Sequence, residues 1–142
     1  MKRILASITL LGMLLSCSVA AYAVEVEPFR ASPTIASYNA WLFSGSGKGE
    51  ITVSYEVNAS IWGDSIGVER LQIRKEDGSL AVSILGSTHN GLVRTDNSIH
   101  AGDYDYTLSS GSGYYYAEVT IFVEYNGVYD SRTITTNTVW VR

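Results

Sequence analysis

The residues able to do chemistry in this chain are few, and most of them gather between positions 89 and 105. His89 and His100 are its two histidines, and Asp96, Asp103 and Asp105 lie close to the second. Imidazole and carboxylate together can hold a metal or move a proton, so a metal-dependent enzyme built on His100 and its aspartates is one reading. No His-x-x-x-His spacing and no Gly-x-Ser-x-Gly elbow accompanies them, and a lone residue type is thin support for catalysis. Two histidines on polar loops is the simpler reading. No catalytic residue is assigned, and the chain reads as a non-enzyme.

Asp103-Tyr104-Asp105 puts two carboxylates on one face of a strand. Such a pair can share calcium, but calcium takes about six or more oxygens and the others are not identifiable. A solvated strand face is favoured, and no metal or cofactor is expected. Gly45-Ser46-Gly47-Lys48-Gly49 has the look of a phosphate loop. A P-loop needs glycine where Leu42 stands, Ser or Thr after the lysine, and a helix to follow. Gly49 and a strand follow instead, so a flexible loop is expected. Asn58-Ala59-Ser60 has the form of a glycosylation sequon, but it falls in mid-strand.

The aromatics are more informative. Ten Tyr, three Trp and three Phe exceed what a core of this size requires, and exposed rings offer rigid apolar area at small entropic cost. Tyr116 and Phe122 fall on the face of a long strand opposite Val119 and Ile121, and Trp62 stands beside Gly63-Asp64 in an expected loop. Trp62, Tyr116 and Phe122 therefore form the candidate ligand surface, with Trp62 the best single contact. The alternative is that a neighbouring sheet or the N-terminal arm covers Tyr116 and Phe122. Trp41 has no assigned face, because its strand carries aromatics on both.

These side chains must be positioned by strands. In Ile51, Val53, Tyr55, Val57, Ala59 and Ile61 every second residue is apolar and polar residues lie between, the signature of a strand buried on one face. Ile66 to Lys75 and Leu80 to Leu85 flank Asp77-Gly78, a hairpin turn dipeptide; a two-residue loop sets Ile73 opposite Val82 and Leu71 opposite Ile84. Tyr115 to Tyr125, Asn126-Gly127 and Val128 to Val141 form a second hairpin, whose register matches Val119 with Ile134 and Tyr125 with Val128 but sets Arg132 opposite Ile121. Either Arg132 snorkels at a sheet edge or a bulge shifts the register. Ser87 to Gly102 is rich in turn formers and holds only a short strand at Leu92 to Thr95, before a further strand through Tyr104, Tyr106 and Leu108. With Tyr38 to Phe43, about seven antiparallel strands result, the rhythm of an immunoglobulin-like β-sandwich.

Met1 to Ala23 reads as a signal peptide: Lys2 and Arg3, an apolar run from Ile4 to Leu15, then the cleavage site Ala21-Tyr22-Ala23. The run is shorter than the ~20 residues of a membrane helix. Cys17, the one cysteine, follows Leu14-Leu15-Ser16, which loosely resembles the lipid-attachment box of bacterial lipoproteins; simple secretion is preferred and a lipid anchor at Cys17 is the alternative. Cleavage leaves no thiol and hence no disulfide. Residues 24–34, with both prolines, read as an extended arm or linker, and residues 35–142 as one all-β domain. No anchor is expected at the C-terminus, Trp140-Val141-Arg142, which has no apolar tail and no wall-sorting motif. Lys+Arg number 10 against 14 Asp+Glu, a formal net charge of −4; that sign repels phosphate backbones and anionic lipid, so no nucleic-acid partner is expected.

Gly113-Tyr114-Tyr115-Tyr116-Ala117-Glu118-Val119, Asn126-Gly127 and Ser131-Arg132-Thr133-Ile134-Thr135-Thr136 resemble the last two strands of fibronectin type III and related immunoglobulin-like domains. The whole layout, with Ile66-Gly67-Val68, is similar to short secreted proteins of Clostridia-type bacteria of unknown function. The resemblance implies a fold and an extracellular home, and carries no catalytic residues. The Cys pair of antibody domains is missing. A rival alignment treats Ala101-Gly102-Asp103-Tyr104 as a tyrosine corner. The sequence thus points to a secreted, non-catalytic binding module for an extracellular glycan or protein. The alternative is a structural or adhesive module in which Thr133 to Val141, or the arm Val24 to Phe29, pairs edge to edge with another chain.

Overall fold

The computed structural model describes residues 34–142; the expected signal peptide, Cys17 and the expected arm up to Pro33 lie outside them. Seven strands make one antiparallel sheet and no helix is present among the described residues: β1 (Ile35–Ser44), β2 (Glu50–Lys75), β3 (Leu80–Leu85), β4 (Val93–Thr107), β5 (Gly113–Tyr125), β6 (Val128–Thr135) and β7 (Val139–Val141). Accordingly, no helix among them is long and apolar enough to cross a membrane.

The organising element is β2. Its 26 residues would run about 85 Å if straight, several times the ~13 Å radius of gyration of a domain this size, so the strand must curl. It does so at two register shifts. One lies between Asn58 and Gly63 against β4, the other between Val68 and Arg70 against β5. Each flips the inward phase: Ile51, Val53, Tyr55 and Val57 point inward, then Ile66 and Val68, then Leu71 and Ile73. At the first, residues 59–62 of β2 face only Ser98 of β4; at the second, Glu69 is a single extra residue, a bulge that bends the strand. The segment expected as a loop at Trp62-Gly63-Asp64 is accordingly strand. Gly63 permits the bend, because a Cβ there would press on the Glu124 and Asn97 carbonyls from both sides.

The first half of β2 lies between β1 and β4, and the second between β3 and β5. Apolar residues from both halves meet in a single cluster, with Leu42, Val53, Val119 and Tyr115 fully buried; burial of each such side chain stabilises by about 1.5–3 kcal/mol. Tyr115 satisfies its hydroxyl by donating to the Gly111 carbonyl at 2.7 Å.

Both hairpins form. Ile73 pairs with Val82 and Leu71 with Ile84, with one shift next to the turn at Arg74. Asn126 and Gly127 take φ of 47° and 75°, the left-handed pair of a tight hairpin turn, and the Asp64 carboxylate pins that turn by accepting from the Asn126 N–H at 2.7 Å. Arg132 does stand opposite Ile121 with no shift in register. β6 is an edge strand, and Arg132 reaches the Asp130 carboxylate on its own strand at 2.8 Å. Val128 to Val141 is interrupted at Thr136, whose N–H donates to the Ala117 carbonyl while its Oγ1 accepts from the Ala117 N–H, both at 2.9 Å. Thr136 thereby replaces the missing ladder rung between β6 and β7.

The short strand expected at Leu92 to Thr95 and the separate strand through Tyr104 are one 15-residue element, β4. Asp96-Asn97-Ser98 is a kink within it, with Asp96 at φ 50°, because Asp tolerates the left-handed region that a strand distortion requires.

Candidate functional site

The outer face of β1, β2 and β4 is where solvent meets side chains of consistent chemistry. Pairing aligns Trp41 with Ser54 and Ser54 with Asp103; two residues along, it aligns Phe43 with Thr52 and Thr52 with Asp105. The result is two parallel rows, each running ring, hydroxyl, carboxylate across three strands. Neighbouring strands lie about 4.8 Å apart and same-face residues about 6.6 Å apart along a strand, so each row spans roughly 10 Å. Trp41 is 40% exposed and Phe43 51%.

The rows are internally braced. Thr52 Oγ1 donates to Asp105 Oδ1 at 2.6 Å, and Ser54 Oγ donates to Asp103 Oδ1. Each carboxylate keeps its second oxygen without a protein donor among the described residues. Beyond them Asn58 Nδ2 donates to Glu56 Oε1 at 2.7 Å and to Ser37 Oγ at 2.9 Å, so the amide of the sequon is engaged in mid-strand. An open groove of about 490 Å³, lined by Gly45, Glu50, Thr52, Asp105 and Thr107 among others, continues the face at one end. Residues 35–44, 50–58 and 99–107, which pair to form this face, contain no Lys or Arg, while Glu50, Glu56, Asp103 and Asp105 all belong to it.

The Gly45 to Gly49 loop closes on its own carboxylate. Gly47 N–H donates to Glu50 Oε2 at 2.7 Å and Gly45 N–H to the Glu50 carbonyl at 2.8 Å. A Cβ at either of these glycines would fall within 2.5 Å of the Glu50 side chain. The Gly47 N–H that a phosphate would seek is thus committed to Glu50.

The three rings singled out from sequence do not converge. Trp62 is 64% exposed, at the bend of β2. Tyr116 is half-buried opposite Arg74, near the far end of the β2–β5 pairing. Phe122 is only 8% exposed and offers no open ring, because Tyr129 stacks on it with centroids 5.6 Å apart and planes 18° apart. Loss of solvent around the Tyr129 hydroxyl, reinforced by its hydrogen bond to the Glu69 carboxylate, pushes its pKa up to about 12. Cover for Phe122 thus comes from the adjacent strand rather than from another layer. Trp41 and Phe43 were legible as rings; their shared face emerges from the pairing of β1 with β2, where Ala40 and Leu42 turn inward between them.

His89 is exposed and His100 is buried, at 3%, so the second is no surface-loop histidine. The Gly91 carbonyl accepts from His100 Nε2 at 2.9 Å and from the Tyr55 hydroxyl at 3.1 Å. That pairing assigns the imidazole proton to Nε2 and leaves Nδ1 buried with no partner. Burial holds the His100 pKa below its ordinary value, with the Arg94 charge acting in the same direction against the Gly91 hydrogen bond. The Tyr55 pKa is raised, chiefly by burial. Asp103 and Asp105 are on the opposite face of β4, so histidine and carboxylates are not brought together. Among the described residues no group of three or more His, Cys, Asp or Glu side chains is gathered as a metal would require.

No protein-family model matches the chain, and no curated protein matches it. Function must therefore be read from the site itself. Two neighbouring rings beside a lattice of hydroxyls and carboxylates can stack on the apolar face of a sugar while accepting hydrogen bonds from its hydroxyls.

Proposed function

We propose that this protein is a secreted, non-catalytic binding module that holds an extracellular glycan on the outer face of β1, β2 and β4. The repeated row, Trp41-Ser54-Asp103 beside Phe43-Thr52-Asp105, carries this reading: a surface on which ring and hydrogen-bonding positions recur matches a repeating polymer better than it matches one small molecule. The leader Met1 to Ala23 supports an extracellular setting. The two halves of the curled sheet, sharing one apolar cluster, support an immunoglobulin-like sandwich as the architecture.

The test is a glycan array with the purified mature chain, followed by titration of any hit against Trp41→Ala, Phe43→Ala and Trp62→Ala. Exposed rings lose stacking worth about 1 kcal/mol each, so affinity falls about fivefold in each of the first two variants and holds in the third. Binding lost only in Trp62→Ala would move the site to the bend of β2. Absence of any glycan hit would end the proposal.

A further inference from the structure

We infer that the glycan carries free ammonium groups, that is, a polymer of amino sugars that are not N-acylated; this rests on the glycan-binding reading above. Charge on the face is the starting point. Glu50, Glu56, Asp103 and Asp105 are distributed over its β2 and β4 stripes, and no Lys or Arg is present in residues 35–44, 50–58 and 99–107, which pair to form it; Arg94 pairs with Ile66 beyond the bend and Lys48 lies in the loop before Glu50. A glycan bearing carboxylate, sulfate or phosphate would meet like charge along the whole face, and a neutral one would leave the acids uncompensated but solvated. Only a cationic one gains from them.

The arrangement within each row strengthens the point. Asp103 and Asp105 each commit Oδ1 to a cross-strand hydroxyl, which fixes the carboxylate while Oδ2 remains to accept from an ammonium group. At the other end of the row an exposed indole or phenyl ring attracts a cation through its π face and stacks on a sugar ring. A row of roughly 10 Å has room for a sugar on the ring side and an ammonium at the carboxylate. Two rows offset by two residues repeat the same recognition. A lysine-rich polypeptide shares the charge, but it would leave the hydroxyls of Thr52 and Ser54 along β2 with little to read, whereas every unit of a glycan presents hydroxyls.

The test compares three probes at a pH that keeps amines protonated: glucosamine oligomers, N-acetylglucosamine oligomers of the same length, and polylysine. Each is titrated into the wild-type chain, the double variant Asp103→Asn with Asp105→Asn, and Trp41→Ala. Asparagine still accepts the Ser54 and Thr52 hydroxyls, so the fold is kept while the charge is removed. The expected result is preference for the glucosamine oligomer, lost roughly tenfold in the double variant and weakened by salt, together with a fall in Trp41→Ala. Equal affinity for the N-acetylated oligomer, unchanged in the double variant, overturns the ammonium inference but leaves the glycan platform standing. Preference for polylysine, insensitive to Trp41→Ala, overturns both in favour of a cationic protein ligand. Binding of no probe overturns the ammonium inference, and a hit on the array would then keep the platform alone.

Discussion

The side chain of Asn137 pairs with both backbone groups of Leu42, accepting from its N–H at 3.0 Å and donating to its carbonyl at 2.9 Å. One amide therefore serves as a one-residue strand along the edge of β1. Its neighbour Thr136 does the same for Ala117 of β5, so the break between β6 and β7 ties together the two ends of the curled sheet. Leu42 is fully buried, and loss of Asn137 leaves its N–H and carbonyl without partners. Asn137→Ala is expected to lower stability by about 2–4 kcal/mol, read by urea denaturation. Asn137→Asp sets a carboxylate oxygen against the Leu42 carbonyl and should fall as far at neutral pH, then regain part of the deficit relative to wild type once that carboxyl is protonated. A deficit below about 0.5 kcal/mol in both would show the contact to be incidental.

Glycines here differ in what they do, and alanine substitution separates them. A Cβ at Gly86 would sit 1.6 Å from the Val68 carbonyl oxygen, where the chain turns back and Gly86 N–H donates to the Glu69 carbonyl at 2.8 Å. Only backbone movement can relieve that overlap, so Gly86→Ala should cost at least about 3 kcal/mol. At Gly78 the φ is 85° and no atom lies within 4 Å of a Cβ, so Gly78→Ala should cost only the left-handed penalty of about 1–2 kcal/mol. Thermal melts of the two variants rank them, and the reverse order would refute the close approach at Gly86.

Local signals were readable in the sequence and long-range ones were not. Asp77-Gly78 and Asn126-Gly127 declare their turns because φ > 0 is a property of single residues, and the alternation from Ile51 to Val57 declares its strand because period 2 is local. The continuity of β2 was hidden: its phase slips between Val57 and Ile66 and again between Val68 and Leu71 look like turns until β4 and β5 are seen pairing across them. Asp96-Asn97-Ser98 misled for the same reason. Of the candidate site, the alternating hydroxyls and acids of β2 and β4 were visible. The placing of Trp41 and Phe43 beside them depends on which strand β1 joins, and the covering of Phe122 depends on a ring from β6. Neither is encoded within a window of ten residues.

The terminal hairpin carries its own guard against edge pairing. Asp130 and Arg132 occupy the core-side positions of β6 opposite Val123 and Ile121, and their ion pair, with Thr34 Oγ1 donating to Asp130 at 3.0 Å, places charge at the rim of the sheet. Charged residues pointing inward on an edge strand discourage docking of a second strand. Replacing both, Asp130→Val with Arg132→Val, should leave monomer stability within about 1–2 kcal/mol, since apolar replacement of a part-buried ion pair is often neutral, while mass in light scattering rises with concentration. If the wild-type chain already self-associates through this strand, the double variant will show no increase, and the adhesive reading gains.

His100 makes stability depend on acid. In the fold its Nε2 proton is held by the Gly91 carbonyl, Tyr55 of β2 packs edge-on at 5.3 Å between centroids, and Nδ1 has no acceptor. A second proton would place charge on that buried atom, in the field of Arg94 on the same strand, so the folded pKa is depressed below 6.5. The unfolded chain, with an ordinary value of about 6.5, then binds the proton more readily than the folded one. Stability from this group is complete above that value and declines as pH falls below it toward the folded pKa, at up to about 1.4 kcal/mol per pH unit. His100→Gln can still donate to Gly91 and cannot titrate, so its melting temperature should stay level across the window in which the wild type declines. His89→Gln, altered at an exposed residue, should decline like the wild type. Parallel curves for wild type and His100→Gln would place the acid sensitivity on the carboxylates instead.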